Sequence, residues 1–221
     1  MSEILDQHKT VLTKLTAASK RAGLPTAELV AVSKVQPDAR ITEMLKTGQR
    51  IFGENRVQEA QQRWGETFAE HRNDLELRLI GPLQTNKAAD AVALFDVIET
   101  VDREKLLKAL IKAVGEDGKM PRLYIQVNTG EEEQKSGVRP ADLPAFLKTM
   151  REIYRLEPEG LMCIPPMGEA ASPHFWLLSN LAKAHGVEKL SMGMSGDYET
   201  AAEMGATSVR VGSALFGARQ G

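Results

Sequence analysis

The sequence predicts a single (β/α)8 barrel, and three observations carry that prediction. From residue 29 onward, eight short apolar runs alternate with stretches of helical periodicity, the order that a closed parallel sheet wrapped by helices requires. Each run hides both faces only if helices cover one side and a barrel interior the other. The first run is followed by Ser33-Lys34-Val35-Gln36-Pro37, where an open doubly wound sheet often places a G-x-G-x-x-G turn. A chain of 221 residues suits one such barrel as a single domain, 1–221, with residues 1–24 as an amphipathic helix packed against it.

The elements follow in order. Residues 3–22 repeat apolar positions at helical spacing (Ile4, Leu5, His8, Val11, Leu12, Leu15, Ala18), and Gly23 and Pro25 close that helix. The run Leu29-Val30-Ala31-Val32-Ser33-Lys34 reads as a buried first strand, and Pro37 suits the opening turn of the helix after it. Further runs at 50–53, 76–80, 95–99, 122–127, 157–162, 188–191 and 207–211 complete the eight strands. Helical patterns near 38–47, 55–69, 86–92, 103–114, 140–151, 169–185 and 197–204 fill the intervals. No linker or low-complexity tract divides the chain.

Composition narrows the function. The formal net charge of −2 argues against nucleic-acid or membrane-surface binding, which need a basic face. No run approaches the roughly 18 uninterrupted apolar residues of a membrane helix, and the N-terminus lacks the basic start and apolar stretch of a signal peptide. Cys163 is the only cysteine, which excludes an internal disulfide and fits a cytoplasmic protein. The four histidines show no metal-ligand spacing, so no metal is expected.

In barrels of this kind the working residues stand at the C-terminal ends of the strands. Alternation puts Val30, Val32 and Lys34 on one face. If the valines line the interior, Lys34 points into the mouth, where a desolvated amine can attack an aldehyde; a lysine that ends its strand and reaches water is the plain alternative. Asn55, after the second strand, either caps the next helix or faces the mouth. Residues 160–166, Gly-Leu-Met-Cys-Ile-Pro-Pro, form a stiff apolar wall for a flat ring or equally good barrel core.

The seventh strand runs into Met194-Ser195-Gly196-Asp197 and the eighth into Gly212-Ser213. Small and hydroxyl residues that open a helix suit an anion, and barrels often hold phosphate at these two loops. Arg210, on the face opposite Val209 and Val211, reaches the mouth if those valines face the helices, and there needs an anion or acceptor. An amine, a phosphate cradle and an inward cation together suit pyridoxal 5′-phosphate. A phosphorylated sugar aldehyde suits the first two and keeps a Schiff-base aldolase open.

The segments AVSKVQP (31–37), FGENRVQE (52–59), LIGPLQTNK (79–87), QVNTGEEEQKSG (126–137), GLMCIPP (160–166), SMGMSGDYETA (191–201) and VRVGSALFGAR (209–219) resemble the YggS/PROSC (PLPBP) family of pyridoxal phosphate homeostasis proteins, over nearly the whole chain. The resemblance implies the barrel of the alanine racemase N-terminal domain, with pyridoxal phosphate held as an internal aldimine on Lys34. It also implies phosphate contacts from Ser195, Gly196, Gly212 and Ser213, ring-nitrogen contact from Arg210, and Asn55 near the cofactor; Ser191 and Met192 are further pocket candidates. Gly196 departs from a more often acidic family position, so only its backbone can contribute.

The same resemblance favours a non-catalytic, cytoplasmic monomer that buffers or carries the cofactor and passes it to pyridoxal-phosphate-dependent apo-enzymes. A permanently charged Arg210 keeps the ring a weak electron sink. Alanine racemases add an acid/base tyrosine from a second domain, for which a chain ending at Gly221 leaves no room. A low-activity amino acid racemase or lyase is the alternative.

Overall fold

The computed structural model describes residues 3–116 and 118–217; Met1, Ser2, Asp117 and the end of the last sequence segment, including Ala218 and Arg219, lie outside them. Eight short strands, β1 (Glu28–Val32), β2 (Ile51–Glu54), β3 (Glu76–Leu79), β4 (Val97–Val101), β5 (Arg122–Gln126), β6 (Gly160–Met162), β7 (Lys189–Ser191) and β8 (Ser208–Val211), pair in parallel with their sequence neighbours. The pairing of β1 with β8 closes the barrel. The expected fold class is therefore the observed one.

Leucine, isoleucine and valine dominate the outward face of the strands. Leu29, Ala31, Phe52, Leu77, Leu79, Ile98, Leu123, Ile125, Val209 and Val211 join the helices in one core. That layer is the main hydrophobic contribution to stability, at about 25 cal/mol per Å² of apolar surface removed from water. The inward face is different. Val97, Tyr124 and Met162 form a separate small cluster inside the barrel, and Arg78, Glu99, Ser191, Ser208 and Arg210 are buried with it. Burial there raises the Tyr124 hydroxyl above its usual range, with the facing Arg78 opposing it. Gly160 makes room for this layer, because a Cβ at that position would stand 2.3 Å from the Tyr124 ring.

The helices are α1 (Glu3–Arg21), α2 (Asp38–Lys46), α3 (Val57–Ala60), α4 (Ala88–Leu94), α5 (Glu104–Val114), α6 (Leu143–Lys148), α7 (Ala171–His185), α8 (Tyr198–Glu203) and α9 (Ser213–Phe216). The α1 helix buries Ile4, His8, Val11, Leu15 and Ala18 against α2, α8 and α9; Leu5 and Leu12, expected on the same stripe, stay exposed. His8 meets the Gln49 side chain at 3.2 Å, and Gln49 donates to the carbonyls of Leu29 and Ile51. The helix is thereby tied to the start of the barrel wall. No helix among the described residues is long and apolar enough to cross a membrane.

Two expected helices depart from plain α-geometry. The 55–69 helix is a short α3 continued by a π-helical segment, Gln61–Thr67, and the 140–151 helix ends in a second one, Thr149–Ile153. The first matters to the site, since π-turns re-aim side chains and recur at functional positions.

Candidate functional site

The first strand stops at Val32 rather than at Lys34, so Lys34 stands on a turn and not, as alternation alone implies, in the strand. Ser33 is fully buried, and its hydroxyl donates to Glu54 Oε1 at 2.7 Å. Val35 follows with φ of 53°, a left-handed conformation that a β-branched residue rarely adopts. Its N–H is held by Glu59 Oε1.

Arg63, turned inward by the π-segment, donates to the carbonyls of Ser33 (2.9 Å) and Gln36 (2.8 Å), and to the carboxylate of Glu54 (2.7 Å). The Trp64 indole N–H also donates to Glu54 Oε1, at 3.1 Å. Glu54 is fully buried. Burial pushes its carboxyl above the ordinary range, while Arg63 and the Ser33 hydroxyl pull it part of the way back. The turn that presents Lys34 is thus clamped from below by side chains of residues 54–64.

Above this turn lies a cavity of about 300 Å³ at the C-terminal end of the barrel, and it gathers Lys34, Asn55, Ser195, Gly196, Arg210, Gly212 and Ser213 on one wall system. The residues that the sequence assigns to the aldehyde, the phosphate and the ring are all there. Asn55 lines the cavity, and Arg56 rather than Asn55 precedes α3. Gly81 lets the loop after β3 press on that of Asn55, since a Cβ there would lie 2.3 Å from the Asn55 carbonyl oxygen.

On the opposite side, Ser195 Oγ accepts the N–H of Gly212 (3.1 Å) and of Ala214 (3.3 Å). These amides converge on one oxygen, the arrangement that a phosphate oxygen also satisfies. Arg210 is 3 % exposed. Its Nη2 donates to the Cys163 carbonyl at 2.8 Å and its Nη1 to Ser191 Oγ at 2.6 Å. Burial in the core pushes the Cys163 thiol up to about 12, against a counter-pull from Arg210.

Two candidates fall elsewhere. Met192 packs in the core between barrel and helices, because the chain leaves β7 after Ser191 and turns its next side chain outward. Ser191 lies beneath Arg210 rather than on the cavity wall. The wall also includes Gln36, Ile80, Ile164, Met194 and Gly217, which were not singled out individually. Gln36 could have been found by its place two residues beyond Lys34 on the same turn.

A half-buried lysine on a turn, an inward guanidinium and amides of the last loop converging on a hydroxyl of the loop before it suit a barrel of the alanine racemase type. The family model described as alanine racemase, N-terminal domain, matches residues 11–220. The chain is 37% identical over 231 residues to the pyridoxal phosphate homeostasis protein of Vibrio cholerae, covering 99% of this chain and 98% of that one. It matches the structure of PipY from Synechococcus elongatus without PLP with a TM-score of 0.86 at 37% identity, covering 97% of this chain and 100% of that one. The match to PipY with PLP bound has a TM-score of 0.78 at 38% identity, with the same coverage. The chain belongs to the family of pyridoxal phosphate homeostasis proteins.

Proposed function

We propose that this protein binds pyridoxal 5′-phosphate reversibly and serves cofactor homeostasis rather than turnover. The observation that carries the reading is the convergence of Lys34, Arg210 and the Ser195 and Gly212-Ser213 loops on one cavity. The bound form of PipY supports it, as does the name borne by the Vibrio cholerae relative.

When bound, the cofactor supplies an electrophilic aldehyde, a heteroaromatic ring and a phosphate ester. Lys34 is the covalent anchor for the aldehyde carbon. Arg210 would meet the ring nitrogen with the N–H groups not engaged by Ser191 and Cys163, and as a fixed cation it would disfavour protonating that nitrogen. Ser195, Gly196, Gly212 and Ser213 hold the phosphate, and Asn55 flanks the ring.

Among the described residues that line the cavity, Lys34 and Arg210 are the titratable ones. A racemase or lyase needs a second proton-transfer group across the substrate from the lysine, and this lining supplies none, which favours a carrier. We read the protein as a cytoplasmic monomer that hands its cofactor to pyridoxal-phosphate-dependent apo-enzymes.

The test is direct. Protein loaded with pyridoxal phosphate absorbs in the visible, borohydride fixes the cofactor mass to the peptide bearing Lys34, and Lys34→Ala stays colourless. Colour that survives Lys34→Ala refutes the anchor. Steady α-proton exchange from a panel of amino acids in deuterated buffer refutes the carrier reading in favour of a racemase.

A further inference from the structure

A line of charged and hydroxyl side chains runs through the barrel beneath the cavity. Glu99, from β4, is fully buried. Its Oε2 lies 3.9 Å from Arg210 Nη1, too far for a hydrogen bond. Ser191 Oγ fills that gap, donating to Glu99 Oε2 at 2.5 Å and accepting from Arg210 Nη1 at 2.6 Å. Because the single hydroxyl proton goes to the carboxylate, a lone pair is left facing the guanidinium.

Glu99 cannot follow Arg210, because its other oxygen is held by Arg78 Nη1 at 3.3 Å. Arg78 is in turn anchored by Glu28 at 2.6 Å and Glu76 at 2.5 Å. Burial pulls the Arg78 guanidinium down, but Glu99 and Glu76 outweigh it and hold it above its usual range, so this anchor stays charged.

We infer that Ser191 is a positioning residue, a spacer that stops Arg210 from collapsing onto Glu99 and so keeps its guanidinium forward in the cavity. A buried carboxylate and guanidinium attract strongly at this separation. With the hydroxyl gone, the direct pair would close, and Arg210 would give up reach toward the ligand. Cys163 O holds only Nη2 and leaves the head free to pivot. The inference rests on the reading that the cavity holds pyridoxal phosphate with Arg210 at the ring nitrogen.

The neighbouring Ser208 provides an internal control. It pairs with Ser191 in register, is equally buried, and its hydroxyl has no hydrogen-bond partner among the described residues. Deleting that oxygen makes the same hole in the same layer without touching the spacer.

The experiment compares affinities for pyridoxal phosphate and for its 1-deaza analogue, which lacks the ring nitrogen, by absorbance titration of purified wild type, Ser191→Ala and Ser208→Ala. Wild type and Ser208→Ala should favour pyridoxal phosphate by about tenfold or more, the worth of one hydrogen bond from a charged donor. In Ser191→Ala that preference should shrink to about threefold or less, with the analogue's affinity little changed, because only the nitrogen contact is lost. If Ser191→Ala does not fold, Ser191→Cys, which keeps the volume but hydrogen-bonds weakly, takes its place. A preserved preference in the Ser191 variant overturns the inference, as does a preference lost equally in Ser208→Ala or absent from wild type. Wild type that does not take up pyridoxal phosphate at all refutes the proposed function instead.

Discussion

Val35 holds a branched side chain at φ of 53° immediately after the lysine that the cavity is built around. Such a conformation costs of order 1–3 kcal/mol and persists only where its surroundings impose it. Here they are identifiable: Glu59 on the Val35 N–H, and Arg63 on the carbonyls of Ser33 and Gln36. Arg63 also neutralises the fully buried Glu54. Replacing Arg63 by Ala therefore removes the clamp and strands a carboxylate, which should destabilise the fold by about 3–5 kcal/mol. Cofactor release should quicken as the Lys34 turn relaxes. Urea unfolding and the decay of visible absorbance on dilution measure the two effects; release at the wild-type rate would show that the turn keeps its shape without Arg63.

At the scale of elements, strands were more legible than their ends. Eight apolar runs sufficed for the barrel because burial on both faces leaves only one kind of residue there. The sixth strand, expected over 157–162, begins only at Gly160, since Glu157 is exposed and the buried Pro158 cannot donate to a ladder. The π-segments were illegible because their phase shift leaves the apolar count almost unchanged while rotating Arg63 and Trp64 onto the buried side.

The candidate residues were readable because loops at strand ends announce themselves by glycine, serine and isolated charge. The supports beneath them were not read. Arg78 in Leu77-Arg78-Leu79 and Glu99 in Ile98-Glu99-Thr100 interrupt apolar strands, and a charge so placed must find its partner inside the barrel. Gly160 is a tight point of that interior. Gly160→Ala would drive a methyl into the Tyr124 ring and stand 2.6 Å from the Lys189 carbonyl oxygen. Overpacking of this kind costs about 1–3 kcal/mol, so its urea midpoint should fall; an unchanged midpoint would mean that Tyr124 has somewhere else to go.

Taken whole, the barrel has a chemical end and a structural end. Opposite the cavity, Glu76 lies 2.5 Å from both Arg78 and Arg122, and Arg122 lies 3.3 Å from Glu159, a network of charges that plugs the N-terminal mouth. Burial raises the Glu76 carboxyl, but Arg78 and Arg122 outweigh it and hold it below the ordinary carboxylate range. A carboxyl with a folded-state pKa below its unfolded one binds fewer protons in the native state, so it stabilises the fold above the unfolded value, about 4.3 for glutamate, and loses that contribution as pH falls through the lowered folded value. Urea midpoints measured from pH 7 downward should therefore drop through the acid range. Glu76→Gln should start lower at pH 7, because the buried Arg78 and the exposed Arg122 lose a shared anion, and should then change less between pH 5 and pH 3, a window that brackets about 4 for carboxylates. If the variant's midpoint falls as steeply as wild type over that window, the acid sensitivity belongs to other carboxylates, and the plug at the closed end does not set how this barrel responds to acid.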